Sequence, residues 1–138
     1  SSKCRIARLR IRASLAAVQR EAEAAGWRVY RIAGQRITDK PSFMAESAAS
    51  LRFPRYFGHN WDAFEESLMD LADEAGVRTL VLFDHAGRFA AAEPGEFAVA
   101  LDILRAAVET RRAGDSPLVV ILQGAARVAD VAVVRMTD

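Results

Sequence analysis

The sequence predicts a single-domain α/β protein, a small parallel β-sheet of three core strands flanked by helices. Three observations carry that reading. The runs Leu80-Val81-Leu82-Phe83 and Leu118-Val119-Val120-Ile121-Leu122 are apolar without alternation, as strands buried on both faces must be. Segments with apolar residues at helical spacing lie before and between them, in the order β-α-α-β-α-β, which right-handed crossovers turn into a parallel sheet. A chain of 138 residues, 51% hydrophobic and 27% charged, is long enough to bury one core without metal or disulfide staples.

The elements follow in order. Arg8, Arg10 and Arg12 alternate with Ala7, Leu9 and Ile11, a period-two pattern that fits either an edge strand or an extension of the helix that follows. That helix spans residues 12–25, with Leu15, Val18, Ala22 and Ala25 on one face and Gly26 as its stop. Trp27 to Ala33 reads as the first core strand, with Val29 and Ile32 among its β-formers and a turn at Gly34. A second helix starts near Asp39, tolerates Pro41 in its first turn, and turns Phe43, Met44, Ser47, Ala48 and Leu51 inward. Pro54 ends it and Gly58 marks the next turn. Asn60 stands as the N-cap of a third helix, predicted from Trp61 to Ala75 and closed by Gly76. Val77 to Phe83 is the second core strand and Leu118 to Leu122 the third. Between them Phe97, Leu101, Leu104 and Val108 mark a helix within Gly95–Ala113. The tail from Val128 to Met136 is expected to add a terminal edge strand.

Charge is distributed unevenly. The chain's net charge is only +1, yet from Arg55 to Gly76 six acids (Asp62, Glu65, Glu66, Asp70, Asp73 and Glu74) face Arg55 alone, a local −5. In the third helix Trp61, Phe64, Leu68, Leu71 and Ala75 form the packing side. Asp62, Glu66, Asp70 and Asp73 run along a neighbouring stripe, with Glu65 beside them. No lysine or arginine is interleaved to neutralise that stripe within the helix. Like charges at i,i+4 cost about 0.2–0.5 kcal/mol per pair, and only Asp62 and Glu65 gain from the helix dipole. A surface that forgoes its own stability in this way, beside an aromatic residue at Tyr56, has the composition of a docking face for a basic partner.

Other chemistries lack their residues. The single cysteine, Cys4, cannot form an internal disulfide, which fits a reducing cytoplasm, and no base accompanies it as it would a nucleophile. No apolar run reaches the roughly 20 residues that span a bilayer, and Ser1-Ser2-Lys3-Cys4-Arg5 leads into no apolar signal core. His59 and His85 lie on separate elements without metal-ligand spacing, and neither a phosphate-cradling glycine loop nor a G-x-S-x-G elbow is present. Neither a cofactor nor a metal is therefore expected. Lys3, Arg5, Arg8, Arg10 and Arg12 form a basic patch that fits an edge-protecting stripe better than a nucleic-acid contact.

The stretch Tyr56-Phe57-Gly58-His59-Asn60-Trp61-Asp62-Ala63, followed by Glu66 and Leu68, resembles the barstar family of small intracellular inhibitors of bacterial ribonucleases. The order of elements matches over residues 27–124. Residues 1–26 remain as an N-terminal extension, a basic segment plus a helix, and residues 125–138 as a C-terminal extension. The resemblance implies a non-enzymatic protein whose loop and acidic helix plug a ribonuclease active site. Tyr56 and Gly58 match positions on the family's inhibitory loop, Asn60 its helix cap, Asp62 one key carboxylate and Glu66 the other, normally aspartate. Glu65 stands where the best-known member has tryptophan and His59 where it has glutamate, while Ala106 falls near a further contacting acid of that member. These exchanges keep the face acidic but rearrange it, which points away from barnase towards another basic secreted ribonuclease or related toxin.

The expectation is a cytoplasmic immunity protein of a bacterial toxin–antitoxin pair that binds neither nucleic acid nor membrane. Its partner contacts are expected at Tyr56, Gly58, His59, Asn60, Asp62, Glu65, Glu66 and Asp70. The rivals are an interaction module for a non-nuclease partner and a hydrolase or transferase built on Asp62, Glu66 and His85.

Overall fold

The computed structural model describes residues 3–7, 14–124 and 133–137. Its elements run β1 (Lys3–Ala7), α1 (Leu15–Ala24), β2 (Arg28–Ala33), a 3-10 turn (Gly34–Arg36), α2 (Lys40–Ser50), α3 (Trp61–Leu71), β3 (Thr79–Asp84), α4 (Ala86–Ala92), α5 (Pro94–Arg111), β4 (Leu118–Leu122) and β5 (Val133–Thr137). The sheet order is β1-β5-β4-β3-β2. β2, β3 and β4 are parallel, with Ile32 opposite Phe83 and Val81 opposite Val120. The fold is thus the expected small parallel α/β sheet, enlarged by two terminal strands rather than one. β5 runs antiparallel to β4 and β1 antiparallel to β5, so β5 lies inside the sheet and β1 forms the edge. The alternating pattern read at residues 7–12 falls, beyond Ala7, outside the described residues. β1 occupies the segment before it.

All six residues of β3 are buried, which explains its unbroken apolar run. Val81 and Phe83 point into the larger core, with residues of α2 through α5; Leu80 and Leu82 point to the other face, against Leu15 of α1. Phe43 of α2 sits at the centre of the larger core. Its ring lies 5.6 Å from Trp61, 5.1 Å from Phe64, 5.9 Å from Phe83 and 5.2 Å from Phe89, joining α2, α3, β3 and α4.

The helix starts obey local capping rules. Ser14 accepts from the Ala17 N–H, and Asp39 and Ser42 form a reciprocal capping box in which the Ser42 N–H and hydroxyl donate to Asp39 at 2.9 and 2.6 Å. The hydroxyl bond, then the backbone one, hold the Asp39 carboxyl below its usual range.

Two elements differ from expectation. α4 carries too few apolar repeats in its seven residues to register as a helix, and it forms because His85 turns the chain in a left-handed conformation (φ 49°) off the end of β3. α3 ends at Leu71, not Ala75. Acids at Asp70, Asp73 and Glu74 oppose the negative end of the helix dipole, and α3 has no cation of its own there. The cation comes from α5: Arg111 donates to the Met69 carbonyl at 2.8 Å and to Asp73 at 3.0 Å. Arg111→Ala is expected to destabilise the protein by about 1.5–3 kcal/mol, the worth of a charge-assisted bond to a helix end. Denaturant unfolding measures it, and a loss under a few tenths would mean that α3 terminates without help.

Candidate partner-binding surface

Residues 52–60 connect α2 to α3 under tight local constraint. Arg52 and His59 both adopt left-handed conformations, at φ 56° and 51°. The Phe53 N–H returns to the Ala48 carbonyl at 3.0 Å, and the Phe57 N–H closes a turn on Pro54 at 2.9 Å. Phe53 and Phe57 pack inward with rings 5.0 Å apart, and the His59 ring lies 5.0 Å from Phe57 on the outside. Fixing Phe57 inward turns its neighbour outward: Tyr56 is 89% exposed, the most exposed large hydrophobic side chain among the described residues.

Asn60 caps α3 as expected, its Oδ1 accepting from the Ala63 N–H at 2.8 Å, while its Nδ2 donates to the Gly58 carbonyl at 3.3 Å. A side chain at Gly58 would begin 3.1 Å from that Nδ2, so the small residue there lets the cap bond back onto the loop. Trp61 is turned inward against Phe43, with the Lys40 ammonium 5.5 Å over its ring. Phe64 and Leu68 are fully buried. The outer side of α3 is then left to Asp62, Glu65, Glu66 and Asp70, all exposed.

The acidic field is narrower than the sequence suggests. Asp73 pairs with Arg111 at 3.0 Å, and Glu74 takes both terminal nitrogens of Arg28 at 3.1 and 3.2 Å, a bond and charge that hold the Glu74 carboxyl below its usual range. Neutralisation comes from other elements, 38 and 46 residues away, where a search along the helix cannot see it. Asp62, Glu65, Glu66 and Asp70 have no ion pair among the described residues. A groove of about 500 Å³ runs between loop and helix, and it brings Tyr56 and Gly58 together with Glu66 and Asp70 over an apolar floor that includes Phe53 and Leu71. Arg52 stands on its wall. Asp62 and Glu65 lie outside the groove on the same helix, and His59 and Asn60 on the loop beside it.

A second cluster sits at the end of β3. Asp84 is 6% exposed and accepts from the Gly34 N–H at 2.8 Å and from Arg31 Nε at 3.0 Å, with His85 Nδ1 at 3.1 Å. Burial alone would raise its pKa; the bonds from Gly34, His85 and Arg31 outweigh that and hold it below the usual aspartate value. A Cβ on Gly34 would stand 1.9 Å from the Asp84 carbonyl oxygen, so glycine is required where the turn crosses β3. His85 Nε2 faces the Gln35 amide at 3.5 Å, not a hydroxyl or thiol, and Asp84 and His85 lie on a different element from Asp62 and Glu66. The cluster therefore ties the turn after β2 to the end of β3. Because the folded-state value is depressed, Asp84 stabilises the fold above the unfolded aspartate value of about 3.9 and loses that contribution as pH falls through the lower folded value. Asp84→Asn should lower the melting temperature at pH 7 and flatten its dependence on pH below about 4. An unchanged acid profile would show that the carboxylate's charge is not what the cluster needs.

Among the described residues no group of three or more metal-ligating side chains occurs, and no helix is long and apolar enough to cross a membrane. No curated protein matches the chain. The family model described as "Barstar (barnase inhibitor)" matches residues 27–123, the three parallel strands and helices α2 to α5, and the chain belongs to that family.

Proposed function

We propose that this chain is an immunity protein that binds a basic bacterial ribonuclease and occludes its active site with α3 and the loop before it. The observation that carries the reading is a set of four carboxylates, Asp62, Glu65, Glu66 and Asp70, without an ion pair among the described residues, beside a Tyr56 held out of the core. Asp62 and Glu66 occupy the place of an RNA phosphate among the nuclease's cations. Tyr56 and Gly58 close over the rim, and Asn60 and His59 hold the loop in register. The unpaired charges act at a distance as well, concentrating a basic partner at this face before contact. Inhibition is steric and electrostatic: the nuclease's cations are neutralised and its substrate excluded.

The test is titration of barnase-type ribonucleases with the protein, reading RNA cleavage, with stopped-flow association at rising salt. Stoichiometric inhibition is expected, with an association rate that falls as salt screens the acidic face. Association independent of salt would remove the steering. A native partner, recovered by co-purification, that lacks nuclease activity would replace the ribonuclease with another basic protein.

A further inference from the structure

β2 closes one side of the sheet, and nothing among the described elements pairs with its outer edge. In a parallel ladder alternate residues direct both backbone groups to the same neighbour. The Arg28 N–H donates towards β3, to the Arg78 carbonyl at 2.8 Å, so the N–H and C=O groups of Val29 and Arg31 point away from the sheet. Against this edge lies a groove of about 460 Å³ lined by Arg28, Val29, Tyr30, Arg31, Ser50 and Arg52, in which every charged side chain is a cation. Arg28 commits both terminal nitrogens to Glu74. Arg31 is held only through Nε, by Asp84, which leaves the two terminal nitrogens of its fork free of partners among the described residues. Arg52 is exposed on its left-handed backbone and has no ion pair there.

We propose that the β2 edge and its arginine groove form a second docking site, which takes an extended acidic polypeptide segment of a partner protein as a sixth strand. The outward backbone groups select the kind of ligand. Val29 and Arg31 offer both donors and acceptors, which an extended peptide satisfies in pairs, whereas nucleic-acid phosphates bring acceptors alone. The side chains select its charge. Alternate residues of an added strand fall on one face about 6.6 Å apart. Carboxylates on one face of such a strand meet the free Arg52 beside the Ser50 hydroxyl, and carboxylates on its other face meet the prepositioned Arg31 fork, which shares the face of Leu82. A second copy is the wrong occupant, since pairing two β2 edges would set Arg28, Arg31 and Arg52 against their like. The site shares only Arg52 with the acidic loop–helix surface and does not depend on the ribonuclease reading.

The test uses the full chain and a fluorescein-labelled octapeptide of alternating glutamate and valine, with a glutamine–valine peptide as control. Fluorescence anisotropy should show the acidic peptide binding about tenfold or more tightly than the control, and amide hydrogen exchange should slow at Val29 and Arg31. Arg52→Glu should weaken binding by about tenfold or more, with Arg52→Gln as the milder variant if the reversal disturbs the loop. Val29→Pro, which removes an outward N–H and no ladder bond, should weaken it without unfolding the sheet. The proposal is overturned by equal affinity for the two peptides, by no binding at about 1 mM, by protection at α3 instead of β2, or by binding indifferent to Arg52. Self-association that protects Val29 and Arg31 without peptide, or single-stranded RNA displacing the peptide from those amides, would assign the edge to another occupant.

Discussion

Alanine at Asp62 or Glu66 is expected to weaken ribonuclease binding by between about 30-fold and several thousand-fold while leaving the fold intact. Truncating one partner of a charge pair that becomes buried on binding costs about 2–5 kcal/mol or more, because the other charge is left without its counterpart. The free protein loses little. Both side chains are exposed and without ion pairs among the described residues. Asp62 contributes at most its first-turn dipole interaction, about 0.3–1 kcal/mol, and removing Glu66 relieves repulsion from Asp62 and Asp70, each four residues away, by about 0.2–0.5 kcal/mol per pair. Asp73 provides the internal control. It belongs to the same stripe in sequence but is neutralised by Arg111, so Asp73→Ala should cost stability rather than affinity. Glu65 and Asp70, if they lie at the rim of the complex, should alter the association rate and its salt dependence more than the dissociation rate. Alanine variants at both 62 and 66 that stay folded and inhibit fully would sink the carboxylate mechanism. Loss of affinity at 73 equal to that at 62 would mean that only total charge matters.

How much of this is legible in the sequence follows from the range of the interactions involved. Features set by neighbours within four residues read correctly: the Asn60 cap, the helix start at Asp39 with Pro41 in its first turn, and the doubly buried β3. The equally apolar β4 is fully buried on one face only, with Val119 and Ile121 half-buried on the other. The inward Phe57 and outward Tyr56 are local too, given a turn closed on Pro54. What escapes is set by residues far apart in the chain. Arg111 decides where α3 stops, and Arg28 and Arg111 remove two of six acids from the field; neither pairing has a spacing that a sequence pattern could reveal. The Asp84 cluster joins residues 50 and 53 positions apart. The pairing of β1 with β5 joins the two ends of the described chain, and it converts what read as a lone terminal strand into a two-strand extension of the sheet. A sequence reading of this surface thus identifies the carboxylates but overestimates how many are free, because screening by distant arginines is a property of the folded chain.

Phe43→Ala is expected to cost about 3–5 kcal/mol, a large share of the roughly 5–15 kcal/mol that holds a domain of this size. Phe43 is fully buried and meets four aromatic rings from three other elements. Two of those rings, Trp61 and Phe64, are the inner anchors of α3, the helix whose outer side carries the carboxylates. Emptying the site leaves a cavity that the surrounding rings can close only by leaving their rotamers or shifting the helices, and both are resisted by close packing. The loss should therefore appear twice, as a lower denaturant midpoint and as faster amide exchange in the first turn of α3. Phe43→Leu, which keeps much of the volume, should recover a good part of both. If the variant lost stability but kept α3 exchange at its original rate relative to global unfolding, the acidic helix would be held by its own cap and by Leu68, independently of the aromatic cluster. If exchange in α3 rises first, the same rings that fill the core also fix the spacing of the carboxylates on its outer side, and core substitutions in this protein should lower affinity for the proposed ribonuclease well before the fold is lost.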